Sequence, residues 1–510
     1  MYAKLHACTV LGVDGTTVEV EVDISNGLPV FDVVGLPDTA VRESRDRVRS
    51  AVKNSGYPFP LQRITTNLAP ADLKKEGAGF DLAIAIGVLG ASGQLPVTDF
   101  KKDLWLGELA LDGTLRPLSG ILPMVIAGRD AGFQRVWLPH ANRGEASLVE
   151  GLEVIPLHSL TEAVDRLKGE IREEDSLESF ARDAEVELPL DDFSDVQGQV
   201  HVKRAMEVAA AGMHNLLFIG PPGSGKTMLA KRLPSILPDM SIDESLEVTK
   251  VVSIAGHMTE RGRLVTRRPF RSPHHTISQV GLTGGGAVPK PGEVSLAHRG
   301  VLFLDEMPEF AKSTLEVLRQ PLEDREVTIS RAKAVFTFPA QFMLVGSMNP
   351  CPCGYFGYEE DRGCTCTPYQ VQRYRSKLSG PLLDRIDIHV EVPRIDFQTL
   401  TSNEKEESSA IVRKRVNQAH DVQKERFQGK GVRNNATMSP SLIKKHCNID
   451  QESRNLLQQS FDALGLSARA HDRILKLART IADLEGAKTI EVPHVAEAIQ
   501  YRTLDRKWWE

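Results

Sequence analysis

Residues 220–227 read G-P-P-G-S-G-K-T and follow the apolar run L-L-F-I at 216–219; farther along, residues 301–306 read V-L-F-L-D-E. The first run satisfies G-x-x-x-x-G-K-[ST] at every fixed position, and it stands between a candidate strand and a helix expected to start near Thr227. Gly220, Gly223 and Gly225 permit backbone conformations and close approaches that a side chain obstructs. With Pro221, Pro222 and Ser224 they form a loop whose successive amides can wrap phosphates at the positive end of the following helix. Lys226 is placed to reach the β- and γ-phosphates. Thr227 offers a hydroxyl to Mg²⁺, and Asp305 is the acidic partner that holds the ion, directly or through water. Glu306 is then free to polarise the attacking water. The uncharged run before Asp305 fits a strand buried in a parallel sheet whose C-terminal edge carries ligands. The implied chemistry is ATP hydrolysis.

The rest of the chain frames this site. Single cores rarely grow beyond ~250 to 300 residues, so a chain of 510 residues is expected to hold about three domains. Its 41% hydrophobic and 25% charged content is that of an ordinary soluble globular protein. A formal charge of −6 excludes a global basic field, so nucleic acid would have to be met by local patches or a lined channel. Six cysteines, four of them clustered, point to a reducing cytoplasm rather than a disulfide framework. The N-terminus lacks a charged region followed by an apolar core, and the most apolar stretch, residues 82–89, is too short to span a bilayer. A cytoplasmic location without membrane contact is expected.

A multidomain α/β architecture follows from the patterning. Residues 16–22 alternate like a strand, 40–55 have helical spacing, and 80–89 form an apolar helix candidate. Further short strands around a helix fall at 104–136. These make an α+β domain over residues 1–168. An acidic, poorly periodic linker at 169–188 separates it from an ATPase core at 189–394 with a parallel sheet. A polar stretch at 401–435 then leads into a helical end, residues 395–510, with apolar residues at helical spacing over 466–484 and 492–502.

Between the two halves of the phosphate site, residues 268–299 are too long and too rich in glycine and proline for a plain helix, and something is expected to project there. A second projection is residues 326–339, read as a hairpin with Arg331 and Lys333 near its tip. The strand at 342–350 ends in Ser347, Met348, Asn349 and Pro350, where the Asn349 amide can orient the lytic water. Cys351 and Cys353 form C-x-C, and Cys364 and Cys366 repeat it. Four thiolates on glycine-containing loops suit a tetrahedral structural Zn²⁺, with reduced structural cysteines the alternative. His274 and His275 follow Ser-Pro and read better as a polar contact surface than as metal ligands.

These pieces resemble the AAA+ branch of magnesium-chelatase motor subunits and minichromosome-maintenance helicases, with a helix-2 insertion and a pre-sensor-1 hairpin. The strings G-M-H-N-L-L-F-I-G-P-P-G-S-G-K-T, R-S-P-H-H-T-I-S, N-P-C-P-C-G and L-S-A-R-A-H-D-R-I-L-K-L-A-R-T-I-A-D-L-E narrow the resemblance to the ComM/YifB family over nearly the whole chain. That resemblance implies that Asn349 is the sensor-1 residue, Arg385 in P-L-L-D-R-I-D the arginine finger, and Arg469 sensor 2, with Arg473 one turn on as competitor. A finger supplied by a neighbour implies a ring, and the family implies a hexamer.

Residues 107–142 resemble the proteolytic domain of Lon, a ribosomal S5 domain 2-type fold, which raises an ATP-dependent protease as a rival. A Ser/Lys dyad needs a serine in the glycine-rich segment and a suitably placed lysine. The matching segment, K-E-G-A-G-F-D at 75–81, has no serine, and Ser119-Gly120 is followed by I-L-P without lysine. The dyad is lost, and a scaffold or binding role remains. The family resemblance then implies an ATP-driven DNA motor that moves branch points in homologous recombination and natural transformation. Its partners are single-stranded, forked or branched DNA and further copies of itself. Arg331 and Lys333 are the leading DNA contacts, with Lys290, Arg299, Arg373, Arg375 and Lys377 weaker candidates. The mixed-charge run from Arg413 to Arg433 reads as a solvated helix face. The competing class is a protein-remodelling subunit of a metal-chelatase-type complex.

Overall fold

Alternating residues of the first long strands decide the N-terminal core. In the computed structural model, which describes residues 1–75, 77–96, 100–170, 191–258, 263–286, 289–331, 334–358, 363–400, 406–464 and 467–502, the chain divides into two units, Met1–Val186 with Ser245–Val265 and Glu187–Glu244 with Thr266–Glu510. The first is built on β1 (Tyr2–Leu11), β2 (Asp14–Ser25), β3 (Phe31–Val34), β4 (Arg63–Ala69), β5 (Asp103–Trp105), the small hairpin β6 (Glu108–Leu109) and β7 (Leu115–Arg116), β8 (Arg135–Pro139) and β9 (Glu153–Leu157). Seven of these strands form one mixed sheet in the order β3-β4-β2-β1-β5-β8-β9. On β2, Val18, Val20, Val22 and Ile24 are all buried, as the two-residue period of a strand requires. They lie under the helix Asp81–Ala91, which is buried on nearly every side and so reads as apolar all round. Gly87 lets this helix reach the sheet, for a Cβ there would stand 2.7 Å from Val22 Cγ2.

The amphipathic helix Thr39–Asn54 packs beside it, begun by Asp38, whose carboxylate accepts from the Val41 amide at 2.8 Å. Arg47 of the first helix donates to both carboxylate oxygens of the buried Asp81 at 2.7 and 3.0 Å. Residues 245–265, expected from sequence to belong to the ATPase core, instead cluster with this N-terminal unit. Ser253 donates to the buried Glu145 carboxylate, and its carbonyl accepts from the Gly120 amide at 3.1 Å. These polar anchors are invisible in the local sequence.

The second unit is organised by a five-stranded sheet in the order β11-β14-β17-β10-β18, from β10 (Leu216–Ile219), β11 (Phe270–Arg271), β14 (Val301–Leu304), β17 (Met343–Met348) and β18 (Ile388–Glu391). Every pairing in it is parallel. Both faces are covered: Leu216 and Phe218 of β10 join one core, Leu217 and Ile219 the other. This explains the unbroken apolar runs that precede the phosphate loop and Asp305. The first core continues into the C-terminal helices through Val412, Ile443, Ile474, Ile481 and Val495.

Two short antiparallel pairs complete the unit, β12 (Gly284–Gly285) with β13 (Lys290–Pro291) and β15 (Glu326–Arg331) with β16 (Ala334–Pro339). The second is the expected hairpin, in register from Glu326 opposite Pro339 to Arg331 opposite Ala334. The polar stretch 401–435, whose mixed-charge run was expected to be a helix face, carries that helix, the 18-residue Ser409–Arg426. Its charged surface hides the buried Val412, Val416, Ala419 and Gln423. Residues 171–190, most of the acidic linker, lie outside the described residues. Among the described residues no helix is long and apolar enough to cross a membrane.

Candidate functional site

The register of the parallel sheet brings the motif residues together. Ile219 pairs with Met348 on one side and Glu391 on the other, and Leu304 pairs with Gly346. The loop after β10, the carboxylates after β14 and Asn349 after β17 therefore emerge at one edge. Gly223 and Gly225 take left-handed φ angles of +77° and +86°, which side chains disfavour. Gly220 is required for space: a Cβ there would lie 2.2 Å from the Val392 carbonyl oxygen.

Lys226 Nζ donates to the Gly220 and Pro221 carbonyls, both at 2.8 Å, and to Asn349 Oδ1 at 3.2 Å. Its burial pushes the amine down to about 8, against the opposing charges of Asp305 and Glu306. Thr227 Oγ1 donates to Asp305 Oδ2 at 2.7 Å, so the hydroxyl and carboxylate that can share a divalent cation are already adjacent. Pro222 and Ser224 complete the loop, with Ser224 nearly buried and Pro222 exposed.

Sequence reasoning missed one member. Ser347, fully buried on β17, donates to Asp305 Oδ1 and accepts from the Glu306 amide at 3.0 Å. Glu306 itself holds a left-handed φ of +49°, uncommon for a residue with a side chain. Ser347 thus grips the backbone of one carboxylate and the side chain of the other. A serine inside an apolar strand, two residues before an asparagine already singled out, was the available signal.

The arginines fall elsewhere. Arg385 precedes β18, and the Asp387 and Ile388 amides donate to the Asn215 carbonyl at the start of β10. Its end of the sheet is the one opposite the phosphate loop, a separation of about 13 Å for four residues of strand. There the buried Arg385 donates to the Pro381 carbonyl at 2.5 Å and pairs with Glu323, rather than with Asp384 or Asp387. Arg469 is exposed and lies 3.8 Å from Asp384. Arg473 is half-buried, donates to the Ile386 carbonyl at 3.3 Å and lies 3.6 Å from Asp387. Although burial opposes it, the His214 hydrogen bond and the Arg473 charge hold the Asp387 carboxyl well below the usual carboxylate range.

The four clustered cysteines converge. Cys351 Sγ lies 3.3 Å from Cys353 Sγ and 3.7 Å from Cys364 Sγ, Cys353 and Cys364 are 3.6 Å apart, and all four sulfurs fall within 4.8 Å of one another. Four thiolates about 2.3 Å from a tetrahedral zinc would be spaced about 3.8 Å apart, so the donor set fits. Against its own desolvation, the amides of Tyr355 and Thr365 bring the Cys353 thiol down, whereas desolvation and the neighbouring sulfurs push the Cys364 and Cys366 thiols up, as expected when like charges crowd together with no cation among them.

The DNA candidates divide. Lys333 lies outside the described residues, and Arg331 ends β15. Lys290 and Arg373 are exposed, and Lys377 pairs with Glu309 at 3.4 Å. Arg375 stacks over Phe356 at 4.8 Å. Arg299 is corrected: it is buried, bonded to Gln341 at 2.5 Å and 4.0 Å from Glu244, which removes it from any exposed surface. Along the basic run, Arg415 pairs with Glu207 and Glu407, Arg426 with Asp483 and Arg433 with Glu244, so this face is tied to its neighbours rather than simply solvated. The His274 and His275 rings lie with centroids 4.1 Å apart, tilted 35° to one another, and His275 makes an edge contact with Phe310. In the N-terminal unit, Asp81 closes the glycine-rich segment and is tied to Arg47, while the Lys75 amine donates to the Pro70 carbonyl.

The sequence matches three family models: "Magnesium chelatase, subunit ChlI" over residues 192–400, "Subunit ChlI of Mg-chelatase" over 20–142, and "Magnesium chelatase, subunit ChlI C-terminal" over 406–502. It is 44% identical to the competence protein ComM of Haemophilus influenzae over 99% of this chain and 98% of that one. It is 44% identical to the uncharacterized protein YifB of Salmonella typhimurium, over 99% and 97% of the two chains. The magnesium-chelatase 38 kDa subunit of Cereibacter sphaeroides is 25% identical over 59% of this chain and 88% of its own length.

Proposed function

Because the chain belongs to the ComM/YifB family of magnesium-chelatase-like ATPases, we propose that it is an ATP-driven motor acting as a hexameric ring on single-stranded, forked or branched DNA, in homologous recombination and natural transformation. The observation that carries the ring is the place of Arg385, about 13 Å of strand away from its own phosphate loop. An arginine there serves a neighbour's nucleotide, where such a finger contributes roughly 10³ to 10⁵ in rate. Arg469, exposed beside Asp384 next to Arg385, is the better sensor-2 residue. Arg473 is committed to the Asp387 network.

Within one site, Lys226 leaves the loop carbonyls for the β- and γ-phosphates. Thr227 and Asp305 hold Mg²⁺, which neutralises phosphate charge when bound. Glu306 polarises the attacking water and Asn349 orients it. Cys351, Cys353, Cys364 and Cys366 hold a structural zinc. The N-terminal domain is a Lon-like scaffold without the Ser/Lys dyad. DNA as the substrate is supported by the competence protein ComM, similar over its whole length, and by the hairpin β15–β16, in whose sequence Arg331 and Lys333 stand near the turn.

The second reading, a remodelling subunit of a metal-chelatase-type complex, is favoured by the match to the 38 kDa chelatase subunit. ATP turnover with and without forked DNA, followed by strand exchange on a four-way junction, separates the two. The motor reading expects stimulated hydrolysis and junction movement. An assembled ring whose hydrolysis ignores DNA, and which does not bind it, sinks that reading.

A further inference from the structure

The loop that carries the four cysteines touches the phosphate site twice. Cys351 comes two residues after Asn349, whose Oδ1 accepts from Lys226. Gly354, at a φ of +87°, lies against the phosphate loop so closely that a Cβ there would stand 2.5 Å from Pro222 Cδ and 3.1 Å from its Cγ. Arg394 closes this contact from outside. Its guanidinium lies 5.3 Å from the Tyr355 ring centroid and donates to the Tyr355 hydroxyl at 3.3 Å and the Pro222 carbonyl at 3.4 Å.

Residues 351–358 and 363–366 form neither helix nor strand, so beyond isolated turns, such as the Gly354 amide on the Cys351 carbonyl at 3.0 Å, their order depends on side-chain cross-links. The thiols supply these only in part. Sulfurs 3.3 to 3.7 Å apart repel one another as thiolates unless a cation lies among them. Soft thiolate ligands in a tetrahedral set select zinc.

We propose that the ion held by Cys351, Cys353, Cys364 and Cys366 fastens Asn349 and Pro222 in place for the phosphates, so that nucleotide binding depends on the metal. This inference rests on the ATPase reading above. With the ion present, the loop pins Gly354 on Pro222 and fixes the backbone that leads from Asn349. Without it, both contacts loosen; Pro222 has no N–H of its own, but the amides that follow it in the phosphate loop, and the Asn349 side chain, lose the positions the phosphates need. The metal takes no part in hydrolysis, since four protein ligands leave it no open position.

The test uses the full-length protein, zinc by elemental analysis, folding by circular dichroism, and affinity for a fluorescent ATP analogue. We expect one zinc per chain. Removal of zinc by a chelator, or Cys364→Ser, should leave a folded protein whose affinity is weaker by about tenfold or more, the loss of one charged hydrogen bond. Zinc added back to the chelated protein should restore it. Gly354→Ala should keep its zinc yet weaken nucleotide binding, because it disturbs the contact and not the ligands; this arm decides the matter if Cys364→Ser does not fold. A folded, zinc-free protein that binds the analogue as tightly as the loaded one overturns the inference, and so does a wild type that carries no zinc as purified. A zinc-containing wild type that binds no nucleotide instead overturns the ATPase reading.

Discussion

Ser347 holds two consecutive carboxylates in one geometry through a single hydroxyl. It donates to Asp305 and accepts from the Glu306 amide, and Glu306 depends on that grip to keep a left-handed backbone. Ser347→Ala should leave the KM for ATP nearly unchanged while kcat falls by about 10- to 100-fold, because the water-polarising carboxylate loses its aim. Ser347→Thr, which restores the hydroxyl, should recover part of the loss. Steady-state ATPase kinetics on the three proteins check this, and an unchanged kcat in Ser347→Ala would remove the residue from the reaction. Lys226, Thr227, Asp305 and Glu306 were legible in the sequence because the chemistry of phosphate binding restricts residue type and local spacing. Ser347 was not, because its role arises from two strands lying side by side, and no local spacing records that.

At the scale of elements, the helices Thr39–Asn54 and Asp81–Ala91 are locked by the Arg47–Asp81 pair. Desolvation pushes the Asp81 carboxyl up to about 6 even with the guanidinium beside it, so burial outweighs the support Arg47 gives and none is left over if that arginine is lost. Arg47→Ala leaves an uncompensated buried carboxylate and should destabilise the N-terminal unit by about 3 to 5 kcal/mol. Denaturant unfolding should show an early transition in that unit, and a midpoint equal to wild type would mean that water replaces the arginine. The four-residue strands and the hairpin were read from apolar runs and alternation. The helix Ser409–Arg426 was legible only as a solvated face. It buries only a narrow stripe, and its charges are satisfied by distant partners such as Glu207 and Asp483. The same holds for residues 245–265, whose anchors Glu145 and Gly120 lie more than a hundred residues away in sequence.

For the whole molecule, the placement of Arg385 makes a testable demand. Arg385→Ala should bind ATP normally but hydrolyse it roughly 10³-fold or more slowly. Lys226→Ala should be equally inactive for a different reason, lacking its own phosphate site. Under the proposed ring, mixed assemblies of the two should regain part of the activity, since a Lys226→Ala subunit would still lend its finger to a neighbour. Turnover measured across mixing ratios checks this, and a flat, inactive series would mean that Arg385 acts in its own subunit or only in folding through Glu323.

By itself the sequence determined the nucleotide chemistry, the three-part division into α/β, parallel-sheet and helical domains, and the family. These rest on residue type and local period, which a string preserves. The tertiary structure alone decided that Ser347 joins the site, that Arg299 leaves the surface, and that the cysteine loop lies on Pro222. It also set Arg385 at the far end of the sheet from the 220–227 loop of its own chain. Each of these is a relation between strands or loops remote in sequence, set by the register of a parallel sheet and by close packing, and neither is written in any single stretch of residues.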